Sequence, residues 1–138
     1  MHRGQAEATC AEALMRSRYA AFAAKEAEYL WRTLHPDHED RSSAKSDVIA
    51  SVRAACGANR YMGLDVIDRE APDAQGIARV LFAAKVFSKG SDRSFVELSE
   101  FAHDGEGWRY LRGDGAHPSE LGDRTTLSIA SFRARRGL

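Results

Sequence analysis

The sequence has few cysteines, no long apolar run and no net charge, and each absence excludes a class of protein. Only two of its 138 residues are cysteines, Cys10 and Cys56, so neither a disulfide framework nor a four-cysteine zinc site is available. No apolar run approaches the roughly 18 residues of a membrane-spanning helix. Residues Met1–Ala8 contain no apolar stretch of the kind found in secretory signals. We therefore expect a cytoplasmic protein with reduced thiols and with no membrane as a partner.

The charges of the chain cancel, which bears on its partners. Lys and Arg together number 20, and Asp and Glu together also number 20. Strong electrostatic capture of nucleic acid is therefore not favoured, and we expect no nucleic-acid partner. A chain of this length fits one domain and buries roughly two-thirds of its unfolded surface, so it can fold without metal or disulfide support. Nothing in the sequence indicates a bound cofactor.

The order of the segments predicts an α+β fold. Residues 10–59 are rich in Ala, Leu and charged residues, whereas residues 60–112 alternate β-branched and aromatic residues with polar ones. Helices followed by strands are typical of α+β proteins and not of alternating βαβ units.

Apolar residues at helical spacing predict helices between residues 11 and 56. Glu26 would interrupt the apolar face of a continuous helix, so we expect a break near Lys25–Glu26 and a stop at Pro36. A third helix is predicted over Ser46–Cys56, with Ser46 as its N-cap and Gly57 as its C-terminal left-handed residue.

Alternating residues predict four antiparallel strands in the second half. They are Tyr61–Arg69, Ile77–Ser88, Ser94–His103 and Trp108–Arg112. In the third of these, Phe95, Glu97, Ser99 and Phe101 share one face. Three helices and about four strands favour a curved sheet that wraps around the helices and leaves a cavity, and a flat two-layer sandwich is the alternative.

Several sequence motifs occur in a specific order along the chain. The helical motif is Leu14-Met15-Arg16-Ser17-Arg18-Tyr19, followed by Tyr29-Leu30 and His35-Pro36. The sheet motifs are Glu97-x-Ser99-x-Phe101 and Trp108-x-Tyr110-x-x-Gly113. Together these motifs resemble the middle domain of the YchJ-like proteins, and the resemblance covers residues 9–114, which leaves 115–138 as a C-terminal tail. It implies a cone-shaped nuclear-transport-factor-2-like fold, with about three N-terminal helices packed in a curved antiparallel sheet of four or more strands.

The sequence departs from the family pattern at several places. The cysteine-rich SEC-C zinc motifs of longer relatives are missing, so their metal ligands cannot be transferred. The histidine that usually precedes the sheet glutamate is Val96 here, and the residue between Glu97 and Ser99 is Leu98 where the family often has Arg. The resemblance implies no established enzymatic activity.

Arg16, Arg18 and Glu97 form the first candidate site. Glu97 shares a strand face with Phe95 and Phe101, so its carboxylate is expected to point into the cavity, where it needs a partner. An arginine of the first helix can supply one as a structural ion pair or as the polar corner of a ligand pocket. Glu97 as a general base is a further reading.

Other residues are candidates for the lining of the cavity or for chemistry elsewhere. The predicted lining residues are Tyr19, Phe22, Ser99, Phe101, Trp108 and Tyr110. The segment His35–Asp40 contains metal-ligand types but lacks a ligand spacing, so we interpret it as a solvated acidic loop and expect no metal. Asp65, Asp68 and His103 form a weaker acid–base alternative. The segment 126–132 is predicted to be an extra strand, a partner-binding segment or part of a flexible tail.

Three functions remain open from the sequence. The first is a non-enzymatic domain that binds a small molecule or a partner and forms a homodimer through the outer face of its sheet. The second is a pocket enzyme of the isomerase, dehydratase or cyclase type that uses Glu97. The third is an adaptor in protein quality control or secretion. Because position 96 is Val96 and not His, the first is favoured.

Overall fold

Helices precede a single antiparallel sheet, as the sequence predicts. The computed structural model describes residues 7–122 and 124–137. The helices are α1 (Ala11–Ala23), α2 (Ala27–Arg32) and α3 (Lys45–Ala58), and a further helix α4 (Ile129–Arg136) follows the sheet. The strands are β1 (Asn59–Glu70), β2 (Ala78–Ser88), β3 (Ser91–Asp92), β4 (Phe95–His103) and β5 (Trp108–Ala116). The mixed α+β architecture is therefore confirmed.

The predicted break between the first two helices is present and has a local cause. Lys25 adopts a left-handed conformation with φ of 62°, and the Glu26 amide donates back to the Ala21 carbonyl at 2.8 Å. Both features end α1 and turn the chain into α2.

The third helix differs from its prediction at both ends. It begins at Lys45 after Ala44 rather than at a Ser46 cap, and no side chain caps it. Gly57 lies inside the helix, which ends at Ala58, and the following Asn59 is already extended. The chain passes directly from α3 into β1, so no left-handed turn residue is needed at this point.

The sheet is curved by irregularities in its strand pairing. Its main order is β1-β2-β4-β5, and β3 pairs with the end of β2. The register of β1 against β2 shifts twice, between Tyr61 and Gly63 and between Val66 and Asp68, and β5 shifts once against β4. Each such bulge bends its strand and increases the local twist. The inner face thus bends around α1.

The two faces of the sheet carry separate apolar clusters. The inner one joins α1 to residues of β2 and β4, among them Leu14, Met15, Val80, Val86 and Phe101. The outer one joins Leu81, Ala83, Val96 and Leu98 to the C-terminal residues Leu121, Leu127, Ile129 and Phe132. Residues on both faces of β2 are buried, which agrees with the side-chain alternation of a strand.

Helix α4 corrects the expectation for the C-terminal segment, because it is a helix and neither a strand nor a loose tail. The Ser128 hydroxyl accepts from the Ser131 amide at 3.2 Å, and Ser131 returns the bond in a capping box. Asp68 on β1 accepts from the first helical amide, that of Ile129, at 2.8 Å. The homodimer through the outer sheet face stays a prediction, and such a contact would have to form on or around α4.

No helix within residues 7–122 and 124–137 has the length and apolar character needed to cross a bilayer.

Candidate functional site

A cavity of about 440 Å³ lies between α1, the end of α3 and the inner face of the sheet. Its apolar walls are Met15, Phe22, Ala55, Phe82, Ala84, Val86, Phe95 and Phe101. Its polar walls are Arg18, Tyr19, Asn59, Tyr61, Arg93, Glu97, Ser99 and Tyr110. Because Ala55 and Arg93 are exposed, they mark the opening of the cavity to solvent.

Glu97 carries the carboxylate of this cavity. It lies on β4 with Phe95, Ser99 and Phe101, and alternation along the strand turns all four side chains inward. The Tyr110 hydroxyl donates to Glu97 Oε2 at 3.0 Å, and the Ser99 hydroxyl donates a short hydrogen bond to the same oxygen. Two neutral donors therefore hold the carboxylate in place.

A bulge in β5 brings Tyr110 to Glu97. Across β4, Glu100 pairs with Arg112 and Phe101 pairs with Tyr110, so Leu111 has no partner residue in the ladder. Residues three apart in a regular strand point to opposite faces, but the extra residue lets Tyr110 and Gly113 both face inward. The spacing Trp108-x-Tyr110-x-x-Gly113 thus encodes the bulge.

Gly113 is required beside the carboxylate. A Cβ atom built at this glycine would overlap the Glu97 carboxylate and the Tyr110 hydroxyl. Only the absence of a side chain leaves room for this hydrogen bond, so the last glycine of the sheet motif is explained by the site and not by a turn.

The backbone of Tyr110 is also held from the helical side. Its amide donates to the Thr33 carbonyl, and its carbonyl accepts from the His35 amide, both at 2.8 Å. Burial, reinforced by the charge of Glu97, raises the pKa of Tyr110 above its ordinary value. The hydroxyl therefore stays protonated at neutral pH and remains a donor.

Arg18 supplies the positive charge at the closed end of the cavity. Its Nη1 donates to the Leu30 carbonyl at 2.9 Å and to the Thr33 hydroxyl at 2.5 Å. Its Cζ lies 4.9 Å from the centre of the Tyr110 ring, which is a cation–π contact. Burial lowers the pKa of Arg18 to about 10, which still leaves it charged at neutral pH.

The predicted Arg16–Arg18–Glu97 set is only partly brought together. Arg18 and Glu97 both line the cavity and are linked through Tyr110, whereas no ion pair joins them among the described residues. Arg16 lies elsewhere: it is half-exposed and its Nε donates to Glu12 at 3.1 Å. Residues two apart on a helix differ by about 200° in direction, so Arg16 cannot face the sheet together with Arg18.

The other predicted lining residues have two different locations. Tyr19, Phe22, Ser99, Phe101 and Tyr110 line the cavity. Trp108 does not, because it packs against the inner cluster near the β4–β5 turn, with its ring 5.8 Å from that of His103.

Sequence reasoning missed three residues near the opening. Asn59, Ala55 and Arg93 line the cavity, and Arg93 follows the short β3. No local pattern marks them, because their position depends on how the α3–β1 junction and the β2–β4 connection meet in space.

The remaining candidates are separated in space. His35 and His38 each accept, through Nδ1, the backbone amide two residues later at 3.0 Å, so both stabilise turns. Asp68 binds the start of α4, whereas the His103 side chain accepts from Gly105 in the β4–β5 turn. Among residues 7–122 and 124–137 there is no group of three His, Cys, Asp or Glu side chains that could hold a metal ion.

A second depression of about 740 Å³ lies over α2 and α3. Its walls are largely charged, and several of these charges have neighbours: Lys45 contacts Glu28 at 3.2 Å, and Arg32 contacts Glu7 at 3.1 Å. Arg41 Nη2 donates to one carbonyl in the last turn of α2 and to another just beyond its end. We interpret this depression as a polar surface and not as a pocket.

Comparison with known proteins gives consistent matches. The family model of the YchJ middle NTF2-like domain matches residues 10–113. A UPF0225 protein YchJ of Shigella dysenteriae is 33% identical over 115 residues, which is 83% of this chain and 71% of that protein.

Two solved structures are also similar. A SEC-C motif containing protein from Rhodopseudomonas palustris has a TM-score of 0.66 and 28% identity, covering 81% of this chain and 83% of that one. A SEC-C motif containing protein from Psychrobacter arcticus has a TM-score of 0.64 and 23% identity, covering 86% and 69% respectively. The second likeness concerns the fold alone.

Proposed function

This chain belongs to the family of the YchJ middle NTF2-like domain, and on that premise we propose that it is a non-enzymatic protein that binds a small molecule in the cavity between its helices and its sheet. The observation that carries the proposal is an open cavity of about 440 Å³ with an apolar body and a polar closed end.

The size and walls of the cavity support binding. Small-molecule pockets typically measure roughly 300–1,000 Å³ and combine apolar walls with a few placed polar groups. The cavity of this protein, at about 440 Å³, falls within that range and has both kinds of wall.

The polar groups give less support to catalysis. Glu97 is the one carboxylate among the described lining residues, and no histidine lines the cavity with it. Acid–base chemistry needs a second group of suitable pKa within reach, and Tyr110, with its raised pKa, is a poor acid at neutral pH. The isomerase, dehydratase or cyclase alternative thus lacks, among the described lining residues, a second acid–base group beside Glu97. The adaptor role stays a prediction.

The opening of the cavity allows a direct test. Ala54 and Ala55 are neighbouring exposed residues of α3, and of the two only Ala55 lines the cavity. Ala55→Trp should block the opening, whereas Ala54→Trp adds the same side chain to the same helix outside it. We expect the uncharged fluorescent probe N-phenylnaphthylamine to bind the native protein and Ala54→Trp alike. Its affinity for Ala55→Trp should fall by about tenfold or more.

Thermal unfolding of both variants is the control, because equal unfolding temperatures separate blocking from destabilisation. The proposal fails if the native protein does not bind the probe, or if both tryptophan variants bind it equally.

A further inference from the structure

The closed end of the cavity carries one negative group, Glu97, and one positive group, Arg18. Each of them has atoms that can still form hydrogen bonds to a ligand. We propose that the ligand is an uncharged apolar molecule whose head group carries a hydrogen-bond donor next to an acceptor, as a carboxamide does. This inference rests on the proposed binding function.

The unused acceptor is on Glu97. Both of its described hydrogen bonds, from Ser99 and from Tyr110, reach Oε2, and Oε1 accepts from none of the described residues. An ionised carboxylate can accept on both oxygens. The described side-chain atoms that are both buried and without a hydrogen-bond partner belong to Arg41, Asp114 and Arg136. Because Glu97 Oε1 is not one of them, it is not buried. The cavity therefore presents an accessible acceptor.

The unused donors are on Arg18. Both of its described hydrogen bonds leave from Nη1, although a guanidinium has five N–H donors on three nitrogens. Arg18 Nε and Nη2 donate to none of the described residues. Like Glu97 Oε1, these two nitrogens are not among the buried atoms without a partner, so they are accessible. Arg18 is 8% exposed and lines the cavity, so a ligand that enters it meets a guanidinium with donors to spare.

These two groups select against a charged head group of either sign. A ligand carboxylate that binds Arg18 would be brought near the Glu97 carboxylate, and a ligand ammonium that binds Glu97 would be brought near Arg18. Like charges placed together at an interface are costly. A carboxamide donates its N–H to Glu97 Oε1 and accepts from Arg18 through its carbonyl, and it adds no net charge.

The walls beyond the polar end fix the body of the ligand. Phe22, Phe82 and Phe95 line the cavity together with Val86 and Met15. Flat apolar surface favours a flat apolar body, and aromatic rings add specific contacts of their own. An aromatic or similarly flat carboxamide therefore fits both the polar end and the walls.

A series of probes with one body and different head groups tests this inference. Naphthamide, naphthoate, naphthamidine and methylnaphthalene share a ring system and carry a neutral amide, an anion, a cation and no polar group. Their affinities are measured by displacement of N-phenylnaphthylamine from the full chain. We expect naphthamide to bind at least about tenfold more tightly than the other three.

Each alternative result overturns the inference. Tightest binding by naphthoate would make the closed end an anion site, and tightest binding by naphthamidine would make Glu97 a lone anionic anchor. Equal binding by naphthamide and methylnaphthalene would mean that the polar end does not contact the ligand. In all three cases the probe still binds, so the proposed function survives. Failure of N-phenylnaphthylamine itself to bind is the separate result that removes the proposed function.

A matched pair of variants links the selectivity to Glu97. Glu97→Gln removes the negative charge and keeps the side-chain shape, so the preference for naphthamide over naphthoate should fall by about tenfold. Glu100→Gln is the control, because Glu100 lies on the same strand but pairs with Arg79 and Arg112 outside the cavity. An unchanged preference in Glu97→Gln would overturn the assignment. If that variant does not fold, the series on the native protein decides.

Discussion

Replacing Gly113 by alanine tests the geometry of the site directly. Gly113 lies on β5 opposite Ser99, and a methyl group at this position would overlap the Glu97 carboxylate and the Tyr110 hydroxyl. The Glu97 carboxylate is the end of a flexible side chain and can move away, but only by giving up one of the two hydrogen bonds that hold it.

The expected cost follows from those hydrogen bonds. A hydrogen bond to a charged group contributes roughly 1.5–3 kcal/mol. The substitution also restricts the unfolded chain, which stabilises the folded state by about 0.4–1 kcal/mol. Gly113→Ala should therefore lower the free energy of unfolding by about 1–2 kcal/mol.

Gly115→Ala is the matched control. Gly115 lies two residues further along the same strand, and the nearest atom to its added Cβ is the Val96 carbonyl oxygen at 4.0 Å. This variant should be as stable as the native protein or slightly more stable. Urea unfolding followed by the fluorescence of the two tryptophans measures both variants.

A double-mutant cycle shows whether the cost comes from Glu97. In a Glu97→Ala background the methyl group of Gly113→Ala enters space that the carboxylate has left, so its cost should fall by at least about 1 kcal/mol. Equal stability of the two glycine variants would refute this account of Gly113. So would a cost of Gly113→Ala that is the same with and without Glu97.

Three further predictions concern stability and reactivity. Phe132→Ala should lower the free energy of unfolding by about 3–5 kcal/mol, since Phe132 is fully buried between α4 and the sheet. A loss below about 1 kcal/mol, measured by urea unfolding, would mean that the packing of α4 contributes little to stability. Burial raises the pKa of Asp104, but amide hydrogen bonds and the charge of Arg109 outweigh it and lower the pKa below 3.8. Above pH 3.8 the free energy of unfolding of the native protein should therefore exceed that of Asp104→Asn. This difference in stability should shrink as the pH falls through the lowered pKa of Asp104. A difference that stays the same down to about pH 2 would contradict this prediction. Exposed Cys10 should react with Ellman's reagent in the native state, whereas buried Cys56, whose pKa is raised by burial, should react only in urea.

Local patterns were sufficient to predict most of the secondary structure. The carboxylate Glu26 on an apolar face predicted the helix break, and alternation predicted that Glu97 shares its face of β4 with Phe95 and Phe101. Both patterns depend on neighbours within a few residues. The ends of α3 were wrong because that helix joins β1 directly, and a capping motif read from the sequence does not reveal the connection.

The candidate site was predicted less completely. Glu97, Ser99 and Phe101 follow from alternation on one strand, and Tyr110 was found beside them. Arg16 and Arg18 could not be distinguished, because either lies on the first helix and only the position of that helix against the sheet selects Arg18. Arg93 and Ala55 depend on the meeting of distant segments, for which no local signal exists.

The C-terminal segment shows the same limit. Its alternating residues 126–132 are compatible with a strand, but Asp68 on β1 accepts from the first amide of α4. The outer apolar face of β2 and β4 then takes up Ile129 and Phe132. A short helix of this kind gains most of its stability from packing, so its existence depends on the sheet beneath it.

The sequence by itself therefore determined the α+β class, the family, the order of the first three helices and the four long strands, and the inward face of β4. The tertiary structure decided which arginine reaches the cavity, how the β5 bulge turns both Tyr110 and Gly113 towards Glu97, and that the cavity stays open. The physical reason is the range of the interactions. Periodicity and capping act over a few residues, whereas the closed end of the cavity is built from α1, β4 and β5, which meet only after the chain has folded.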